Sequence, residues 1–322
     1  MFPHRYAAGV RQLVAALDVE VIELPHTRAS PEFLERHPEL RARDLHGALE
    51  DPNIHGIVST IGGDESIRLL PFLDLELIAA NPKPFIGFSD TTVTHMAFLA
   101  AGVGSFYGPS LLAGFAENAG IDPYALDGAR RALMGEEAPG VWPPNEDGWT
   151  VEFLDWADPS NQERPRARTD SDGWRWLQGG EAVVEGRCIA GCLEVLDWLR
   201  GTAVMPDLDG AVLAIETSEE APSPEHVVRM LRALAAGSDG FGGLRALLFG
   251  RPGGADLDPA THVDYDIALL RVLREELGLT DLPIVTGMDF GHTDPSWTLP
   301  IGARLVVDCA AREVRFPDRV TS

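Results

Sequence analysis

The stretch Pro84-Phe85-Ile86-Gly87-Phe88-Ser89-Asp90-Thr91-Thr92 predicts a strand that turns abruptly into a helix. Its first half has the apolar character of a buried strand, and Gly87 permits a sharp turn because glycine lacks a Cβ. The residues after Ser89 open helices well, and an apolar run continues to residue 101. Ser89 is therefore predicted at a strand-to-helix turn, where its hydroxyl could act as a nucleophile beside free helix amides or simply cap the helix.

Apolar segments of strand and helix type alternate on both sides of this turn. Before it, the pattern predicts a helix, a strand, a helix and a strand at residues 6–17, 19–24, 30–49 and 55–61. After it, strands are predicted at residues 105–109, 210–215, 244–250 and 283–287, and residues 299–308 and 313–316 are predicted to form a closing antiparallel pair. Such alternation predicts an α/β fold in which helices cover a parallel sheet.

A change of composition divides the chain. Residues 136–161 are rich in proline, glycine, tryptophan and acidic side chains, and their periodicity is weak. We predict an N-terminal α/β domain at residues 1–140 and a linker with a substrate loop at residues 141–178. A C-terminal domain follows at residues 179–322.

Charge and composition exclude several classes of partner. The 322 residues carry a net charge of −24, which argues against binding nucleic acid or anionic membranes through bulk electrostatics. No apolar run reaches the ~20 residues that cross a bilayer, and the first residues lack a signal-peptide core, so a cytoplasmic protein is predicted. The three cysteines are too few for a disulfide framework, and no H-E-x-x-H motif occurs, so metal-dependent hydrolysis lacks support.

Three polar residues fall where a serine hydrolase needs them. A serine nucleophile requires a base within hydrogen-bond reach, and the base requires a carboxylate to orient it. Glu216 ends one predicted strand and His292 follows another, as Ser89 does, and open α/β sheets place their sites at such strand ends. Each residue alone could be structural or solvated. The α/β-hydrolase elbow G-x-S-x-G fits poorly, because Thr91 stands where its second glycine would be.

Two further groups of residues are candidates for contact with a ligand. Gly62 and Gly63 lie between a strand and a helix-like segment, where glycines let the backbone approach a ligand, although a plain turn would use the same residues. Trp174 and Trp176 lie near the predicted domain junction. Their rings could stack on a flat ligand or pack on the body of the domain.

The motifs that carry a family resemblance are Ser59-Thr60-Ile61-Gly62-Gly63, the Ser89 stretch, Phe106-Tyr107-Gly108-Pro109, Leu213-Ala214-Ile215-Glu216 and Asp289-Phe290-Gly291-His292-Thr293, with residues 194–202 and 298–302. Together they resemble the LD-carboxypeptidase family of serine peptidases (family S66), in variants more like its microcin C immunity branch, the MccF-like proteins, than its murein-recycling branch. The resemblance covers nearly the whole chain.

The resemblance implies both a fold and a set of roles. It implies an N-terminal α/β domain and a C-terminal β-rich α/β domain, with the site between them, no metal or cofactor, and a homodimer. Ser89 would be the nucleophile, His292 the general base and Glu216 its orienter. The amides of Gly63 and Asp90 would form the oxyanion hole.

The same resemblance implies a small peptide or aminoacyl-nucleotide as substrate. The microcin C immunity branch cleaves the amide between an acidic residue and a nucleotide-like group, and a loop tryptophan stacks on the base. Trp174 or Trp176 is the match here, and Arg251 could meet an acidic group of the substrate or be structural. Gly62 would lie against the substrate.

Two alternative functions stay open. A murein tetrapeptide LD-carboxypeptidase would release D-Ala instead. The chain also starts at Met1 almost within its first helix, where family members have an extra strand and loop. Loss of that strand would expose a sheet edge and remove part of the substrate wall, which would leave a non-catalytic binding protein.

Overall fold

The computed structural model describes residues 2–237 and 241–320, and their strands form two sheets. The strands are β1 Ile57–Val58, β2 Phe85–Gly87, β3 Ser105–Tyr107, β4 Gly140–Trp142, β5 Arg175–Gln178, β6 Val183–Cys192, β7 Ala211–Glu216, β8 Ala246–Gly250, β9 Ile284–Met288, β10 Leu299–Ile301, β11 Arg304–Asp308 and β12 Glu313–Phe316. The first sheet has the order β1-β2-β3-β10 and the second the order β4-β12-β11-β6-β7-β8-β9-β5. Strands β1, β2 and β3 run parallel, as do β6, β7, β8 and β9.

Helices cover the parallel strands, so the predicted α/β class is confirmed. The helices are α1 Pro3–Leu17, α2 Pro31–Arg36, α3 Pro38–Glu50, α4 Leu75–Ala80, α5 Thr92–Ala100, α6 Pro123–Leu133, α7 Leu193–Trp198, α8 Pro224–Ala236 and α9 His262–Leu270. The described residues also include short 3₁₀ segments at Ser66–Phe72, Ser89–Thr91, Pro159–Glu163 and Pro259–Thr261 and a π-helical turn at Arg271–Glu276. In the described ranges no helix is both long and apolar enough to cross a membrane.

The predicted closing pair at residues 299–308 and 313–316 is partly wrong. Residues 304–308 pair with 313–316 as predicted, but β10 leaves that sheet and pairs with β3 in the first one. Gly302, with φ of +88°, makes the turn between β10 and β11, a conformation that favours glycine. The C-terminal half therefore supplies a strand to the N-terminal sheet, and the domain boundaries at residues 140 and 178 stay a prediction.

Two further local predictions are wrong. Residues 19–24 form no strand, and Val19 and Val21 instead pack against the cluster around α1. The predicted helix at residues 30–49 is two helices, because Pro38 disfavours the helical conformation at the residue before it. His37 accordingly has φ of −132° and ψ of 58°.

The core lies around the parallel strands of the second sheet. Every residue of β7 is buried, as is every residue of β8 and β9. Strands covered on both faces read as continuous apolar runs, which explains the sequence Ala-Val-Leu-Ala-Ile before Glu216. Glu216 at the end of β7 is itself fully buried, and a buried carboxylate is tolerated only when it is well hydrogen-bonded.

Candidate active site

Ser89 lies at a sharp turn between β2 and α5. Its φ of +64° is left-handed, which costs energy for any residue except glycine. Close packing requires glycine at position 87, since a Cβ there would lie 2.4 Å from Ser59 Oγ. His95 on α5 holds the turn from below through contacts with the Gly87 carbonyl (2.9 Å) and Ser105 Oγ (2.8 Å). The sequence therefore builds a strained elbow that presents the Ser89 hydroxyl.

The structure brings the three predicted polar residues into one hydrogen-bonded chain. His292 Nε2 lies 3.0 Å from Ser89 Oγ, and His292 Nδ1 lies 2.6 Å from Glu216 Oε2. The backbone N–H of His292 also donates to Glu216 Oε2, at 3.2 Å. Residues 203 positions apart along the chain thus meet at the ends of β2, β7 and β9.

Two glycines make room for the buried carboxylate of Glu216. A Cβ at Gly291 would lie 2.4 Å from Glu216 Oε2, and one at Gly250 would lie 2.6 Å from Glu216 Cβ. Gly291 also has φ of +95°. Substituting either glycine would displace the carboxylate that holds His292.

Tyr107 is a member of the site that the sequence reasoning did not assign. Its hydroxyl donates to Glu216 Oε1 at 2.5 Å and accepts the backbone N–H of Ser89 at 3.0 Å. Burial, followed by the negative charge of Glu216, raises the pKa of Tyr107 well above its usual value. Because the Ser89 amide is already paired with Tyr107, it is not free to bind an oxyanion. The signal was available, since Tyr107 lies within the strand predicted at residues 105–109 and within one of the motifs that carry the family resemblance.

Tyr107→Phe should lower kcat about tenfold, with a smaller change in KM, because it unpairs the Ser89 amide and one oxygen of Glu216. Steady-state kinetics across pH would check this. Tyr124→Phe is the control, since it removes the hydroxyl of a half-buried tyrosine that donates to a backbone carbonyl, that of Pro143. Loss of stability alone would affect both variants alike, so equal activity of the two would contradict a positioning role for Tyr107.

The side chain of Asp90 fixes the loop that contains Gly62 and Gly63, called the glycine loop here, beside the elbow at Ser89. Its carboxylate accepts the backbone N–H of Ser66 (2.9 Å), the Ser66 hydroxyl (2.6 Å) and the backbone N–H of Glu65 (3.2 Å). A Cβ at Gly62 would lie 3.1 Å from Ser89 Oγ and 3.4 Å from the Asp90 nitrogen, and Gly63 has φ of +143°. Within residues 2–237 and 241–320 the Gly63 amide donates to no protein group. Gly62 thus lies close to the Ser89 hydroxyl, and the role of the Gly63 and Asp90 amides as oxyanion donors stays a prediction.

Glu219 is a second residue that sequence reasoning missed. Its carboxylate Oε2 lies 3.1 Å from His292 Nε2. Burial opposes a charge on His292, but the negative charge of Glu216 and hydrogen bonds to Glu216 and Glu219 raise its pKa well above the usual value near 6.5. The hydrogen bond with His292 in turn lowers the pKa of Glu219 to about 2.

The two predicted ligand tryptophans are half-buried and packed against the core cluster. The indole N–H of Trp174 donates to Asp289 Oδ2 at 2.7 Å, and its ring meets Trp142 edge-on at 5.0 Å. Trp176 lies within β5. No hydrogen bond or ring contact among the described residues joins either ring to Ser89 or His292, and their role in binding substrate stays a prediction.

Arg251 is buried, with 3% of its surface exposed, and lies 2.9 Å from Asp289 Oδ1. It donates to the Gly287 carbonyl at 3.1 Å and stacks over the Trp149 ring at 5.1 Å. These contacts attach the segment before His292 to the ends of β8 and β9. A contact between Arg251 and substrate stays a prediction.

No cluster of three potential metal ligands occurs in the described part of the chain. Cys188, Cys192 and Cys309 are buried free thiols, and burial raises the pKa of Cys188 and Cys192. The polar groups at the site are therefore hydroxyls, an imidazole, carboxylates and backbone amides. A serine, a histidine and a glutamate linked by hydrogen bonds where two sheets meet are characteristic of the serine hydrolase class.

Comparison with known proteins defines the family. Residues 2–108 match the LD-carboxypeptidase N-terminal domain, and residues 185–307 match the LD-carboxypeptidase C-terminal domain. The microcin C7 self-immunity protein MccF of Escherichia coli is 31% identical over 286 residues, which cover 88% of this chain and 79% of that protein. The chain belongs to the LD-carboxypeptidase family, peptidase family S66.

Solved structures agree with this assignment. The MccF-like protein from Streptococcus pneumoniae in complex with AMP superposes with a TM-score of 0.86 at 31% identity, over 99% of this chain and 94% of that one. Microcin C7 self-immunity protein MccF in complex with aspartyl sulfamoyl adenosine gives a TM-score of 0.80 at 27% identity, over 99% of this chain and 92% of that one. The predicted resemblance to this family and its MccF-like members is thus confirmed.

Proposed function

We propose that this protein is a serine carboxypeptidase or amidase that works through an acyl-enzyme. The observation that supports this most directly is the continuous contact from Ser89 Oγ through the His292 ring to Glu216, at 3.0 Å and 2.6 Å. A serine hydroxyl becomes a nucleophile when a histidine can take its proton and a carboxylate holds that histidine. Membership of the S66 family supports the same chemistry.

In the proposed reaction Ser89 Oγ attacks the carbonyl carbon of the scissile amide while its proton passes to His292 Nε2. The negative charge of Glu216 stabilises the imidazolium that forms. The amides of Gly63 and Asp90 stabilise the oxyanion, and each donor of this kind contributes about 3 kcal/mol to the transition state. His292 then protonates the leaving amine, and water, activated by the same histidine, hydrolyses the acyl-enzyme.

The substrate we propose is a peptidyl- or aminoacyl-nucleotide, such as an acidic aminoacyl-sulfamoyl adenosine. Support comes from the relatives, since MccF has been solved with aspartyl sulfamoyl adenosine and a second family member with AMP. Hydrolysis of such a toxic conjugate would give self-immunity or detoxification. We further propose that the enzyme acts in the cytoplasm and that it forms a homodimer. Light scattering, which measures the molar mass in solution, would test the dimer.

Purified protein should hydrolyse aspartyl-sulfamoyl adenosine to aspartate and the sulfamoyl nucleoside, and a fluorophosphonate probe should label Ser89. Mass spectrometry of the products and of the labelled peptide measures both. Turnover equal to the uncatalysed rate would reject this substrate. Absence of labelling as well would favour the non-catalytic alternative.

A murein tetrapeptide LD-carboxypeptidase is the second candidate. The family models that match this chain carry the LD-carboxypeptidase description, which favours this alternative. Incubation with an L,D-linked tetrapeptide distinguishes the two enzymes, because only the murein enzyme would release D-Ala.

A further inference from the structure

A hydrogen-bonded turn after β7 places the Glu219 carboxylate against the ring of His292. The turn runs from Ser218 to Ala221, closed by the Ala221 N–H donating to the Ser218 carbonyl at 3.1 Å. Glu194 anchors it by accepting both the backbone N–H (2.9 Å) and the hydroxyl (2.7 Å) of Ser218. The Glu219 side chain is 74% exposed, yet its carboxylate meets the buried ring of His292.

Ser89 and Glu219 require opposite protonation states of His292 Nε2. Ser89 can give its proton to His292 Nε2 only when that nitrogen carries none. The Glu219 carboxylate, which has no proton to donate, is attracted to Nε2 only when Nε2 does carry one. Since Nδ1 already faces Glu216, the contact with Glu219 stabilises the doubly protonated ring, which cannot act as a base. A substrate group that draws the Glu219 carboxylate away from Nε2 would therefore favour the neutral ring that can act as a base.

We propose that Glu219 is a specificity residue that binds the free α-ammonium group of an aminoacyl substrate, so that aminoacyl conjugates are preferred over N-acylated, peptidyl ones. This inference rests on the proposed function and names the substrate class of the same site. In the described part of the chain, His292 is the only cation that contacts the Glu219 carboxylate. An ammonium group of the substrate would take that place.

The distances allow the contact. In an aminoacyl group the α-nitrogen lies two bonds, about 2.5 Å, from the carbonyl carbon that is attacked. That carbon must approach Ser89 Oγ to about 3 Å. Ser89 Oγ and Glu219 Oε2 both lie within hydrogen-bond distance of His292 Nε2, at 3.0 Å and 3.1 Å. An ammonium group beside the scissile carbonyl therefore comes within reach of Glu219.

Binding of the ammonium group would also prepare the base. When the carboxylate pairs with the substrate, the proton on Nε2 loses its acceptor and passes to solvent. Nε2 can then accept the Ser89 proton. An N-acylated substrate carries no positive charge at this position, so it leaves Glu219 paired with the imidazolium.

The test measures binding separately from turnover. Titration calorimetry on the Ser89→Ala protein compares aspartyl-sulfamoyl adenosine with its N-acetyl derivative. We expect the free amine to bind roughly 10- to 100-fold more tightly, as for a hydrogen bond between charged groups. Adding Glu219→Gln should reduce this ratio to about threefold or less. Adding Glu220→Gln, the matched loss of one neighbouring exposed charge, should preserve it.

Three results would overturn the inference: an unchanged ratio with Glu219→Gln, an equal loss with Glu220→Gln, or no binding of the free-amine ligand. Turnover by the protein with Ser89 intact is a separate readout. A tightly bound free amine that is never hydrolysed would reject the proposed function and still support ammonium recognition by Glu219.

Discussion

Replacing Ser89 with alanine should lower kcat by roughly 10⁶-fold, as loss of the nucleophile does in other serine hydrolases. The reason is that no other hydroxyl is seen in contact with His292 Nε2 in the described structure. KM should change little, because Glu216, Tyr107 and the glycine loop do not depend on the Ser89 hydroxyl. The measurement is single-turnover hydrolysis of aspartyl-sulfamoyl adenosine followed by product chromatography.

Two controls separate chemistry from folding. Ser160→Ala removes an exposed serine from a remote 3₁₀ turn and should leave kcat unchanged. Ser89→Gly should be as inactive as Ser89→Ala but more stable, by about 1 kcal/mol, because glycine relieves the strain of a φ of +64°. A Ser89→Ala protein with more than a few per cent of normal turnover would exclude Ser89 as the nucleophile.

The sequence predicts where Ser89, Glu216 and His292 lie because Glu216 ends a strand and the other two closely follow one. In parallel sheets the carboxyl ends of strands share one edge, so residues far apart along the chain can be expected to meet there. The glycines around them carry the same information, since Gly87, Gly250 and Gly291 are needed where a Cβ would collide with the site. The local sequence pattern of strands and glycines therefore marks the same positions as the chemistry of the site.

Contacts between exposed segments are harder to predict from sequence. Glu219 sits in an exposed turn, and nothing in its immediate sequence shows that Glu194 anchors that turn or that Glu219 contacts His292. Strand β10 has the apolar pattern of its neighbour β11, yet it pairs with the other sheet, because pairing partners depend on the tertiary arrangement. Residues 19–24 have a strand-like pattern but pair with no strand among the described residues, so the pattern alone does not form a strand there.

Glu216→Gln should lower kcat by roughly 10³-fold, somewhat less than the approximately 10⁴-fold loss known when an amide reverses the histidine tautomer. Two N–H groups of His292, the backbone N–H and Nδ1–H, point at the same oxygen of Glu216. The amide oxygen of glutamine should therefore face His292, with its NH₂ group facing the hydroxyl of Tyr107. That orientation keeps the ring and its tautomer in place and removes only the negative charge.

The pH dependence tests this account of Glu216. Its negative charge raises the pKa of His292, so removing the charge should lower that pKa, and the ring should become a neutral base at lower pH. The acid limb of the kcat profile should move to lower pH while the plateau falls, because the imidazolium that forms during attack is no longer stabilised. Glu220→Gln, which removes an exposed charge from the nearby turn, should leave both unchanged. A Glu216→Gln plateau near the normal value, or an acid limb that moves upward, would show that the carboxylate does not stabilise the charged ring and that the contact at 2.6 Å only positions it.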